Sequence, residues 1–155
     1  MTCRERLQEL FRKRKVKFSV TEHAEAYSAQ RVARELGIPG WQLAKVVIVA
    51  ADGDWAMMVL PAPYKLSTKK ARKALRARRV RVANEDEFAD LFPDCEVGAM
   101  PPFGDLYDLP LYVDPPLMTE PEIAFTAGSH GEIMHISFAD YQRVAKPTIA
   151  NIGDK

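Results

Sequence analysis

Cysteine is scarce: Cys3 and Cys95 alone occur in 155 residues, with no CxxC pair and no histidine cluster beside them. That scarcity excludes a disulfide framework and gives a zinc site no basis, so both thiols are expected to be plain structural residues. The three histidines, His23, His130 and His135, are scattered, and none forms an HxxxH or HExxH pair. No apolar run approaches the roughly 18 residues that a membrane span needs. The first residues, MTCRERLQELFRKRK, are charged and amphipathic rather than a secretory leader. The expectation is a soluble, cytoplasmic single domain over residues 1–155, with no membrane contact, no metal and no cofactor.

Positive charge is missing from a long stretch, because no Lys or Arg lies between Val82 and Gln142. Residues 1–81 hold 19 Lys/Arg against 7 Asp/Glu, and residues 82–155 hold 3 against 14. One basic and one acidic flank would steer a polyanion to one side, although the same flanks could also attract each other within the fold. The basic flank is densest in KLSTKKARKALRARRVR, with nine cations and no acid from Lys65 to Arg81. On a helix such crowding costs a few tenths of a kcal/mol per like-charged pair, which is tolerable on a solvated face and useful beside phosphates. Lys69, Lys70, Arg72, Lys73 and Arg76 are the candidate RNA contacts. Trp41, Tyr64 and Phe103 could stack an unpaired base or simply pack.

Periodicity gives a mixed α/β pattern. Leu7, Leu10 and Phe11 share one face of a helix within Arg4–Val16, and Ser28 caps a second helix, SAQRVAREL, closed by Gly37 and Pro39. VVIVAA and DWAMMVL flank Asp52-Gly53, a tight hairpin signal. Ser67 opens a helix to about Arg76, Asn84 and Glu87 form a capping box, and Ser137 with Asp140 opens a last helix before Pro147. With KFSVTEH, VRVA, LYV, EIAFTA and EIMHIS, the total is six or seven strands in a mixed, barrel-like sheet flanked by helices.

Three features could carry chemistry. Lys45 heads an otherwise apolar strand, where its ammonium either snorkels to water or binds an anion. Gly98 to Gly104, GAMPPFG, joins a proline-stiffened backbone to glycines that admit close approach by a ligand; a structural turn is the alternative. AGSHGE presents Ser129 and His130 between glycines, either to a ligand or to solvent. No third residue completes a Ser/His/Asp triad. Met57, Leu60 and Met100 could narrow a pocket but suit core packing better.

In this order, SAQRVARELGIP, QLAKVVIV, the GxxxP stretch Gly98–Pro102, LYVDPPL and AGSHGEIMHIS resemble the YbaK/prolyl-tRNA synthetase-associated editing domain. The resemblance runs from about Arg6 to Pro147, and Val46 departs from the small polar residue that follows the lysine in many relatives. It implies a free-standing aminoacyl-tRNA deacylase that cleaves the ester of a wrongly attached amino acid by water attack assisted by the terminal ribose. One methylene in an apolar pocket is worth only about 1–3 kcal/mol, so small aminoacyl groups are the expected substrates. Carried over by position, Lys45, His130 and Asp114 would be the catalytic set. Gly98, Ala99, Met100, Pro101, Pro102, Gly128 and Ser129 would bind the aminoacyl group. The implied partners are the aminoacylated tRNA 3′ end and a synthetase, with the protein a monomer. A non-catalytic binding module of the same fold is the alternative.

Overall fold

The computed structural model describes residues 1–22, 34 and 37–155; the helix expected from Ser28, together with His23, lies outside the described residues. The first helix, α1 (Cys3–Lys13), starts one residue before the expected span, because Thr2 closes a capping box. The Thr2 hydroxyl accepts from the Glu5 amide at 3.1 Å, and the Glu5 carboxylate accepts from the Thr2 amide at 3.1 Å. Cys3, Leu7 and Phe11 form its buried stripe, at the spacing of one helical face.

Strand β1 (Ser19–Glu22) precedes the central hairpin of β2 (Ala44–Ala51) and β3 (Asp54–Pro61). Asp52 at φ 51° and Gly53 at φ 89° make the turn, both left-handed, as a two-residue connection between twisted strands demands. Next come β4 (Lys65–Leu66), α2 (Thr68–Leu75) capped by Ser67, β5 (Val80–Val82) and α3 (Glu85–Phe88) with the expected Asn84/Glu87 capping box. The proline-rich stretch reaches β6 (Leu111–Val113). Strands β7 (Glu122–Thr126) and β8 (Glu132–Ser137) lead into α4 (Phe138–Ala145), where the Ser137 hydroxyl accepts from the Asp140 amide. Two short strands, β9 (Thr148–Ile149) and β10 (Gly153–Asp154), end the chain.

The mixed α/β class is as expected, and each of the seven expected strands is present. Three two-residue strands, β4, β9 and β10, raise the number among the described residues to ten. A five-stranded sheet has the order β5-β2-β3-β6-β9, with β3 and β6 parallel, and a three-stranded sheet has the order β1-β8-β7. The pair β10-β4 is separate, and a bridge between Leu43 and Ala124 joins the two larger sheets.

Alternation divides the hairpin between two cores. Val46 and Ile48, with Val59 and Met57, face the main core, which also contains Phe11, Phe103, Phe125 and Tyr141. Val47 and Val49, with Met58 and Ala56, face a smaller core closed by Ala71 of α2 and by Ile152. Lys45 is in phase with this second set.

Candidate functional site

The glycine-proline corner and the histidine turn form one hydrogen-bonded unit. Gly98 adopts φ +85° and Gly128 φ +91°, a region that costs other residues about 1–2 kcal/mol. The Gly128 amide donates to the Ala99 carbonyl at 2.9 Å, and the Gly128 carbonyl accepts from the Glu96 amide at 2.7 Å. His130 Nε2 donates to the Val97 carbonyl at 2.8 Å, which places its ring against Gly98; a Cβ there would meet His130 Cε1 at 3.4 Å. Ser129 shapes the turn, its hydroxyl accepting from the Gly131 amide at 3.1 Å.

Past Gly98 the corner turns inward, and Ala99, Met100, Pro101 and Pro102 are buried. Tyr141 donates its hydroxyl to the Pro102 carbonyl at 2.8 Å, anchoring the far end on α4. Among the described residues, the Gly98 and Met100 amides donate to no protein acceptor. Phe103 is not available for stacking a base: it is buried among the rings of Phe11, Phe125 and Tyr141. Met57, Leu60 and Met100 are also core residues.

Asp114 belongs to a second unit. Its Oδ1 accepts from the amides of Ile152 at 3.1 Å and Gly153 at 3.3 Å, pinning the C-terminal segment, while its buried Oδ2 has no hydrogen-bond partner among the described residues. The Asp114 amide donates to the Val59 carbonyl at 2.9 Å. Gly153 is required beside it, since a Cβ would lie 2.8 Å from Asp114 Oδ2 and 3.3 Å from Leu60 Cδ1. Leu60 is the cross-strand partner of Lys45.

Lys45 is half-buried and, among the described residues, its ammonium enters no hydrogen bond or ion pair. Burial, then the like charge of Lys65, hold its pKa below the ordinary lysine range. A partly desolvated cation with no carboxylate partner and a second cation nearby is arranged to receive an anion. No hydrogen bond or ion pair among the described residues ties Lys45 to the glycine-proline corner.

The basic helix faces solvent as expected, and only Ala71 of α2 is buried. Lys69 and Arg72 line a groove of about 830 Å³, together with Arg78, Arg79 and Arg81 of the adjoining segment and Asp52 of the hairpin turn. Lys73 is exposed on the same helix and Arg76 is exposed at its left-handed C-cap. Lys70 is committed within the chain: its ammonium donates to the Gly153 carbonyl at 2.9 Å and pairs with Asp154 at 2.8 Å. Arg81 is paired with Glu87 at 2.6 Å. Arg78 and Arg79 were missed as candidates, though they belong to the same cationic run. Their amides donate to the Asp52 carboxylate, at 2.9 Å from each to its nearer oxygen, and hold its pKa below the usual carboxylate range. A second cleft, of about 420 Å³, is lined by Trp41, Tyr64, Pro63, Pro116 and Lys155 among others.

The aminoacyl-tRNA editing domain model matches residues 23–144, and the chain belongs to that family. It is 28% identical over 139 residues to the multifunctional Ser/Thr-tRNA deacylase ProXp-y of Escherichia coli K12, covering 86% of this chain and 83% of that protein. It is also 26% identical over 129 residues to a proline–tRNA ligase of Leuconostoc citreum; the match covers 81% of this chain and 21% of the ligase. Two solved structures share the fold at 19% identity. One is a provisionally assigned trans-editing enzyme for prolyl tRNA synthetase, with a TM-score of 0.84 over 100% of this chain and 99% of that one. The other is a hypothetical protein, with a TM-score of 0.86 over 96% and 99%.

Proposed function

We propose that this protein is a free-standing trans-editing deacylase, a single domain that hydrolyses the ester linking a small, wrongly attached amino acid to the 3′ end of tRNA. The observation that carries the reading is the union of the glycine-proline corner with the histidine turn in a chain of the editing family. Gly98 and Met100 keep two amides free at the corner, where they can receive the carbonyl oxygen of the aminoacyl ester and the negative charge that develops on it. Buried Pro101 and Pro102 stiffen the wall behind them. That wall excludes large side chains, whereas one methylene is worth only about 1–3 kcal/mol in discrimination, so small aminoacyl groups are the substrates. His130 is held by the Val97 carbonyl and orients the ester.

Lys45 supplies positive charge for the terminal phosphate or ribose end, and among the described residues no carboxylate pairs with it. Water attacks the ester carbon, the neighbouring ribose hydroxyl assists, and the protein contributes position and electrostatic stabilisation. Asp114 orders the adjoining C-terminal segment through Ile152 and Gly153 and does not act as the base. The groove beside Lys69 and Arg72 takes the phosphate backbone of the tRNA. Trp41 and Tyr64, brought into one cleft, offer faces to an unpaired base. A synthetase is the natural source of the mischarged substrate.

The test is a panel of tRNAs carrying mismatched alanine, cysteine, serine, threonine and proline, each incubated with the wild-type protein and with Lys45→Ala. Hydrolysis of at least one small aminoacyl-tRNA is expected, with a large loss in the variant. Inactivity against the whole panel refutes the deacylase reading for these substrates, and undiminished activity of Lys45→Ala refutes the role given to the lysine.

A further inference from the structure

The two cysteines, distant in sequence, meet in the fold. Cys3 opens α1, and Cys95 lies three residues before Gly98. Their Sγ atoms and an Asp94 carboxylate oxygen all lie within 4.8 Å of one another. Tyr107 joins them: its hydroxyl is 3.2 Å from Cys95 Sγ, donates to Cys3 Sγ at 3.7 Å and lies 3.0 Å from Asp94 Oδ1. Arg6 completes the cluster, pairing with Asp94 Oδ2 at 2.6 Å and lying 5.4 Å from the centre of the Tyr107 ring. This fixed guanidinium occupies the carboxylate and opposes a dication there.

We propose that Cys3 and Cys95 form an oxidation site, a dithiol that hydroperoxides convert to a disulfide beside the glycine-proline corner. Access is asymmetric, which assigns the roles. Cys95 is half-buried and lines an open surface concavity with Met1, Thr2, Glu5 and Glu96, whereas Cys3 is only 2% exposed and packs against Gly128. The Cys3 thiol is drawn below its ordinary range chiefly by its contact with Cys95; that contact and burial push Cys95 upward.

In the first step the Cys95 sulfur attacks the terminal oxygen of the hydroperoxide and releases its proton. The S–O bond forms, the O–O bond breaks, and the departing alkoxide takes that proton and leaves as the alcohol. In the second step the Cys3 sulfur attacks the Cys95 sulfenic acid; the S–S bond forms, the S–O bond breaks, and the departing hydroxyl leaves as water with the Cys3 proton. Two electrons pass from the sulfurs to the peroxide, which is reduced to the alcohol and water. The bond would fasten α1 to the segment whose Glu96 amide and Val97 carbonyl hold Gly128 and His130. Oxidation is thereby placed next to the proposed aminoacyl-binding corner.

The experiment treats the native full-length chain with tert-butyl hydroperoxide and reads titratable thiols, intact mass and the non-reduced peptide map. The expected result is loss of both thiols and of two hydrogens from the mass, a Cys3–Cys95 cross-linked peptide, and return of both thiols with dithiothreitol. In Cys3→Ser, Cys95 should instead gain oxygen atoms; if that variant does not fold, Cys95→Ser should keep a Cys3 thiol that resists the peroxide. Thiols that survive in the wild type, or a wild-type Cys95 that gains two or three oxygens without cross-linking, would overturn the proposal. None of these readouts uses deacylation, so a failure of the proposed function would leave this result standing.

Discussion

Replacing Asp114 separates an ordering role from a chemical one. In Asp114→Ala, the amides of Ile152 and Gly153 lose their acceptor, and the side chain of Ile152 is fully buried. Each abandoned donor costs about 1–3 kcal/mol, so the pair costs roughly 2–6 kcal/mol. Against this, removing a buried carboxylate with one unpartnered oxygen returns about 1–3 kcal/mol. A net loss of about 2 kcal/mol should remain, which for a chain of this size lowers Tm by roughly 4–8 °C. Asp114→Asn retains an oxygen at the Oδ1 position, and its amide nitrogen replaces the oxygen that has no partner. It should therefore keep both hydrogen bonds and most of the deacylation rate. The assay is thermal unfolding alongside kcat/KM on an aminoacyl-tRNA for the three proteins. If Asp114→Asn folds normally yet is as inactive as a Lys45→Ala protein, the carboxylate takes part in the reaction and the ordering argument is wrong.

Gly128→Ala should lose about 2–4 kcal/mol in urea unfolding, because φ +91° and a clash with Cys3 act together; a loss below about 1 kcal/mol would contradict the described packing. Lys65→Gln should shift the alkaline limb of the kcat/KM profile to higher pH. Burial and Lys65 both lower the Lys45 pKa, the cation is lost as pH rises through that value, and removing Lys65 raises it; an unmoved or lowered limb would refute the coupling. Lys69→Glu with Arg72→Glu should reduce deacylation of tRNA but spare a small aminoacyl ester. Each lost phosphate contact should reduce the salt-dependence slope by about 1, and equal loss on both substrates would place these residues outside RNA binding.

Much of the fold was legible because local chemistry and tertiary structure agree. Ser67, Asn84 with Glu87, and Ser137 with Asp140 cap the helices expected of them, and Asp52-Gly53 turns the hairpin. The Thr2/Glu5 capping box was equally readable and explains why α1 begins before Arg4. Strands β4, β9 and β10 were not readable, since two residues carry no periodicity and exist only through their partners. The site was legible in pieces. A positive φ and a stiff backbone can be inferred at Gly98–Pro102, but its contact with His130 and the Ala99–Gly128 hydrogen bond depend on long-range folding. Cys3 and Cys95 illustrate the same limit: treated singly they are unremarkable thiols, and only the path of α1 past the 94–97 segment makes them a pair. Lys70 shows the converse, a cation in a conspicuous run whose charge is taken by Asp154 at the other end of the sequence.

Asp52 sits where two functions of one side chain meet. Its left-handed backbone bends the hairpin, and its carboxylate gathers the Arg78 and Arg79 amides at the rim of the basic groove. Lengthening this bend by a residue would therefore misplace the arginine backbone while leaving the interior of both strands paired. Under the proposed function, grip on a phosphate chain would weaken before folding did, which would make the hairpin tip an adjustment point for RNA affinity outside the proposed aminoacyl-binding corner.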